Sequence, residues 1–186
     1  MNVSKKTSTI AKLGILGAIS IVLVALIHIS IFPAVSFLEY DPADIPILLG
    51  TFALGPWAGL ALTVVVAVIQ GFTVSAASSW YGIVMHIIAT GTYVLVSGFI
   101  YKSHKTKKGA IVSLVCGIVA WTVVMIFANL ILTPVYLQML GVPAEAALPT
   151  VKSLLGWIVL FNLTKSIINS AITFLVYKRV SPILHK

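Results

Sequence analysis

Long apolar runs separated by short polar clusters set the pattern of this chain. Four runs, at 13–32, 81–101, 110–132 and 154–177, are long enough to cross a bilayer as helices of about 20 residues. A further apolar stretch, 45–73, is interrupted by Gly55-Pro56. Glycine ends a helix readily and proline suits the first position of the next, so this stretch predicts a short helix, a tight turn and a second helix. The alternative is one long kinked helix. The two readings give six or five crossings.

The distribution of charge favours six. Only 9% of residues are charged, against roughly 25% in soluble domains, and 60% are hydrophobic. Such a composition cannot cover a water-exposed surface, which excludes a soluble globular domain and makes this an integral membrane protein. With six crossings, Lys5, Lys6 and Lys12, then Lys102, Lys105, Lys107 and Lys108, then Lys178, Arg179 and Lys186 all share one side. Basic loops mark the cytoplasm, so both termini are expected there, with Glu39, Asp41, Asp44 and Glu145 outside. A helix over 45–54 would be only ~15 Å long, half a bilayer. That length is tolerable if the preceding loop, 33–44, dips into the membrane within protein. The apolar run after Lys5 and Lys6 lacks a good small-x-small cleavage site and is expected to remain as a helix. The expected architecture is a single all-α membrane domain over 1–186 with six transmembrane helices.

Polar groups are costly within a span, so their positions carry the functional information. On the last helix Asn162, Lys165, Asn169 and Thr173 follow at i, i+3, i+7 and i+11 and share a face. Lys165 lies ~18 Å from the basic cluster at Lys178, too far for its side chain to reach the membrane surface. It needs an anion, a wet cavity or a ligand, and the ligand pocket is the favoured reading over a structural pair with Glu39, Asp41 or Asp44. Asn129, Thr133 and Tyr136 share a face of the preceding helix, which Pro134 is expected to bend. Asn129 and Thr133 alone would read as interhelical glue. Two asparagine-bearing faces on adjacent helices suggest instead a shared cavity for a planar ligand with alternating donors and acceptors.

Loop 33–44 is rich in proline and carries Phe37, Leu38 and Tyr40, which suits a cap over a pocket or an interfacial aromatic anchor. Asp44, placed just before the second helix, reads as a helix cap. His86 reads as a hydrogen-bonded packing residue on a face with Thr90 and Tyr93, since no ligand partner stands at metal spacing. Gly50 and Gly55 have P-loop spacing, but Pro56-Trp57 follows where Lys-Ser/Thr is required. The N-x-S/T matches at Asn2 and Asn162 fall in a cytoplasmic tail and a buried helix. A single cysteine, Cys116, excludes an intrachain disulfide. Gly14-x3-Ala18 on the first helix, with Ala11 and Gly17 nearby, and Gly55-x3-Gly59 are small-residue pairs that permit close helix approach.

Together the segments FLEYDPADIPILLGTFALGP, NLILTPVYL and FNLTKSIINS resemble the substrate-binding S components of energy-coupling factor (ECF) vitamin transporters, specifically the riboflavin-binding members. The resemblance spans nearly the whole chain. It implies a subunit of a bacterial cell membrane importer that captures riboflavin from outside, with FMN left open, and hydrolyses no ATP itself. It implies as partners a transmembrane coupling protein (the T component) and two ATP-binding cassette ATPases. By position, Asn129, Asn162 and Lys165 would contact the isoalloxazine ring, with Thr133 beside Asn129 and the Leu38–Glu39 loop closing over it. Gly14 and Ala18 match the family's docking motif, although glycine at 14 and at 17 departs from the more usual alanines. No metal or resident cofactor is implied. The alternatives are an S component for another vitamin, a stand-alone secondary transporter, which lacks an intramembrane acid and an inverted repeat, and an intramembrane lipid enzyme, which lacks paired carboxylates within the spans.

Overall fold

The computed structural model describes residues 3–184, without side chains at 3–5, 77, 79 and 180–184. Asn2 and Lys186 lie outside the described residues. Six α-helices make up most of the described residues: α1 (Val3–Leu26), α2 (Asp44–Leu54), α3 (Pro56–Phe72), α4 (Ser79–Ser103), α5 (Lys107–Met139) and α6 (Ala144–Leu184). Between α1 and α2 stand two short strands, β1 (Ile29–Ser30) and β2 (Glu39–Tyr40), paired antiparallel with Ile29 opposite Tyr40 and Ser30 opposite Glu39. A 3-10 turn over Pro33–Val35 tips this hairpin.

Four helices, α1, α4, α5 and α6, are long and apolar enough to span a membrane, while α2 and α3 are shorter apolar helices of 11 and 17 residues. The split of the 45–73 stretch follows the expected chemistry. Gly55 adopts φ +104°, a conformation that side chains rarely tolerate, and its N–H closes the end of α2 on the Thr51 carbonyl. Pro56 then opens α3, where its missing N–H costs nothing.

α5 and α6 are longer than the apolar runs predict. α5 continues through Pro134 to Met139, and α6 begins ten residues before the predicted start at 154, so Lys152 lies exposed on helix. At 33 residues α5 is ~50 Å long, well beyond a ~30 Å hydrocarbon core. The side chain of Thr106 accepts the Gly109 N–H at 2.9 Å and fixes where α5 starts.

α3 packs on α4, α4 on α5 and α5 on α6, while α2 touches α1, α3, α4 and α6. Every residue of α2 from Asp44 to Phe52 is buried, so this short helix is the interior post of the bundle. Close approach to α3 is set at Gly59, where any Cβ would collide with Thr51. One face of α1, with Ile10, Ile15, Ile19 and Val22, points outward, as lipid-facing positions do, while Leu16 and Val24 are buried in the core.

Candidate functional site

Polar side chains from four elements converge where β2 and the start of α2 meet α4 and α6. Lys165 of α6 is buried, and its Nζ donates to Asp41 Oδ2 at 2.7 Å, with Asp44 Oδ2 at 3.9 Å. Asn169, one helical turn further, donates through Nδ2 to Asp44 Oδ2 at 2.9 Å and to the Asp41 carbonyl at 3.2 Å. Its Oδ1 accepts the Tyr40 hydroxyl at 3.0 Å. Thr90 of α4 donates to Asp44 Oδ1 at 2.7 Å. The loop is thus tied to α6 by an ion pair and three hydrogen bonds.

The electrostatics are those of a satisfied buried network. Burial alone would raise the pKa of the Asp41 carboxyl, but the Lys165 ammonium, His86 and the Ala43 N–H outweigh it and hold Asp41 below its ordinary value. Two buried carboxylates with one ammonium need the surrounding amide and hydroxyl donors, because a buried charge without partners is costly. His86 Nε2 stands 3.8 Å from Asp44 Oδ1 and is buried without a hydrogen-bond partner among the described residues.

Several expectations change here. The structural pair, set second for Lys165, is the one the structure forms: its ammonium lies on Asp41, and Glu39 is exposed on the hairpin. Asp44 is not a helix cap. It is the first residue of α2, no side chain caps that end, and its carboxylate serves α4 and α6 instead. Asp41, not Asp44, turns back to accept the Ala43 N–H at 3.0 Å. Tyr40 is drawn onto Asn169 rather than standing free as an interfacial anchor. The hydrogen bond expected of His86 is not made by its Nε2 among the described residues.

The two asparagines expected to share a cavity make their hydrogen bonds with different partners. Asn162 accepts the Trp121 Nε1–H at 2.7 Å and donates back to the Ile158 carbonyl at 2.8 Å. Asn129 donates to the Met125 carbonyl at 2.8 Å and accepts the Thr133 hydroxyl at 3.0 Å. Thr133 in turn shares a 2.8 Å hydrogen bond with Tyr81, whose ring stacks on Tyr136 at 4.2 Å. Leu38 lies part-buried against a small apolar cluster of Val35, Val151 and Ile158 that joins the hairpin to α6. Tyr93, expected on a face with His86 and Thr90, hydrogen-bonds Ser170, whereas the polar faces of α5 and α6 gave no mark to Tyr81 and Trp121. Tyr81 and Trp121 each lie one bond from an expected site residue, but each bond joins neighbouring helices across 52 and 41 residues of chain, so no local spacing marks them.

On α1, Gly14 and Ala18 are both exposed, and a Cβ at Gly14 would meet nothing within 4 Å. Gly17 points the opposite way, buried against Leu62 of α3. The two small-residue registers of α1 therefore separate into an inner packing face and an open outer one.

The profile of the family "ECF transporter, substrate-specific component" matches residues 8–177, and the chain belongs to that family. It is 31% identical over 159 residues to the riboflavin transporter FmnP of Bacillus subtilis, covering 81% of each chain. It is 25% identical over 182 residues to the riboflavin transporter RibU of Streptococcus thermophilus, covering 97% of this chain and 86% of the other. A solved structure described as the S component of a bacterial ECF transporter superposes with a TM-score of 0.80 at 25% identity, over 97% of this chain and 99% of that one.

Proposed function

We propose that this chain is the riboflavin-binding S component of an ECF importer in a bacterial cytoplasmic membrane. It captures the vitamin from outside and delivers it inward with a transmembrane coupling protein and two ATP-binding cassette ATPases, contributing no ATPase of its own. The observation that carries the reading is the polar network on α6, closed by the loop between α1 and α2, in a chain whose curated relatives are named as riboflavin transporters. The charge pattern supports six crossings of a single domain with both termini inside: ten of the twelve basic residues would then lie on the cytoplasmic side.

In this reading Asn129, Thr133, Asn162 and Lys165 contact the flavin, and Leu38 and Glu39 move with the closing loop. Amides suit the imide edge of the ring, since each offers both a donor and an acceptor. Riboflavin has to open or share the bonds these groups now make, the Lys165–Asp41 pair first. Opening that pair frees the loop that holds the site shut. Gly14 and Ala18 offer the coupling protein a face smooth enough for close helix approach.

Trp121 makes the test direct, because its indole nitrogen bonds Asn162. Titrating the purified protein with riboflavin should quench its tryptophan fluorescence at micromolar ligand or below. No response to micromolar riboflavin overturns the proposal, and a response to another vitamin alone would reassign the substrate.

A further inference from the structure

Two adjoining cavities open at the end of the bundle away from the Asp41–Lys165 network, where α2 and α4 end and α5 begins. The larger, about 480 Å³, is lined by Phe52, Tyr101, Lys105, Lys107, Phe174 and Lys178 among others. The smaller, about 200 Å³, shares Phe52, Tyr101 and Lys105 with it and adds Lys102. The wall of the larger is aromatic: Phe52 lies 4.4 Å from Tyr101 and 5.5 Å from Tyr177, ring centre to ring centre. Leu175 of α6, also in the lining, is 70% exposed on the outer face of the bundle.

Charge and position together define what fits. Four lysines line the two cavities and no acidic residue does. Among the described residues none of these lysines is in an ion pair, and all are exposed. Lys107 also opens α5, whose first-turn N–H groups add positive potential. The cavity lies at the ends of spanning helices, where lipid headgroups meet the protein. A free phosphate would use the lysines but leave the aromatic wall and exposed Leu175 without a role. A zwitterionic lipid would bring its own cation toward ammonium groups that repel it.

We propose that the larger cavity binds an anionic phospholipid. The phosphate sits among Lys105, Lys107 and Lys178, and an acyl chain lies over Phe174 and Leu175. Basic pockets at helix ends are recognised lipid sites, and each lysine near such a headgroup contributes about fivefold in affinity. The site is independent of the vitamin-binding reading, since it shares no residue with that network.

The test uses the whole chain in detergent, loaded with equal phosphatidylglycerol and phosphatidylcholine and followed by native mass spectrometry. We expect one phosphatidylglycerol to be retained in clear preference to phosphatidylcholine. The preference should drop by tenfold or more in the triple variant Lys105→Gln/Lys107→Gln/Lys178→Gln. Single Lys178→Gln and Lys105→Gln variants, each expected to lose about fivefold, secure the result if the triple variant does not fold. Equal retention of the two lipids, or an unchanged preference in the variants, overturns the proposal. So does displacement of the lipid by millimolar inorganic phosphate, which would make the occupant a free anion.

Discussion

The closed end around Lys165 and the outer face of α1 solve opposite problems. At the closed end, Asp41, Asp44, Lys165 and Asn169 are all buried, and each is held by partners from another element. On α1, Gly14 and Ala18 are exposed, and a Cβ at Gly14 would meet nothing within 4 Å. The first region is stable only while its bonds are complete, because a buried charge that loses its partner is destabilised far more than the pair stabilises. The second has little local structure to lose, so under the proposed function substitutions there would act through the docked coupling protein. A membrane carrier needs both: a site whose bonds can be exchanged for those of a substrate, and a surface that can change partners without disturbing the site.

The contrast is broken most severely by Lys165→Ala. It strands two buried carboxylates, with an expected cost of about 3–5 kcal/mol in stability and loss of riboflavin binding. Thermal unfolding alongside fluorescence titration would separate the two effects. Asn129→Ala should follow, weakening riboflavin binding roughly tenfold through one lost hydrogen-bonding group, measured by the same titration. Tyr40→Phe removes one bond between loop and α6, worth about 1 kcal/mol, and should show as a small fall in melting temperature. The double substitution Gly14→Leu/Ala18→Leu should be the mildest in the purified protein, changing stability by no more than about 0.5 kcal/mol and leaving riboflavin affinity intact. In cells it should abolish ATP-driven uptake. A loss of binding in that variant would mean the two regions are coupled through the bundle.

Much of the fold was legible because the membrane demands long apolar helices, and few alternatives satisfy that demand. Gly55-Pro56 was legible for the same reason: only that dipeptide explains a break in an apolar stretch. The helix ends were less so. Residues 144–153 mix Glu145, Pro149 and Lys152 with alanines, so hydropathy gives no hint that α6 already begins at Ala144. The polar face of α6 was also readable from spacing, but the choice among its partners was not. Asp41 and Asp44 lie more than 120 residues from Lys165 and Asn169, so they stood with Glu39 only as the second reading for the ammonium, and Asp44 read as a cap. Whether Asp41 or a ligand occupies the ammonium depends on tertiary closure of the loop, which no local pattern encodes.

The interior position of α2 has a consequence for how the protein is made. A helix of 11 residues, buried from Asp44 to Phe52, has neither the length nor the outer surface to rest in lipid by itself. During synthesis it cannot be released into the bilayer as an independent segment in the way α1 can. Its carboxylate at Asp44 waits for Thr90 and Asn169, which emerge from the ribosome much later. Biogenesis of the chain is therefore expected to keep the segment from Asp44 to Phe72 sheltered by the insertion machinery until α4 and α6 arrive to enclose it.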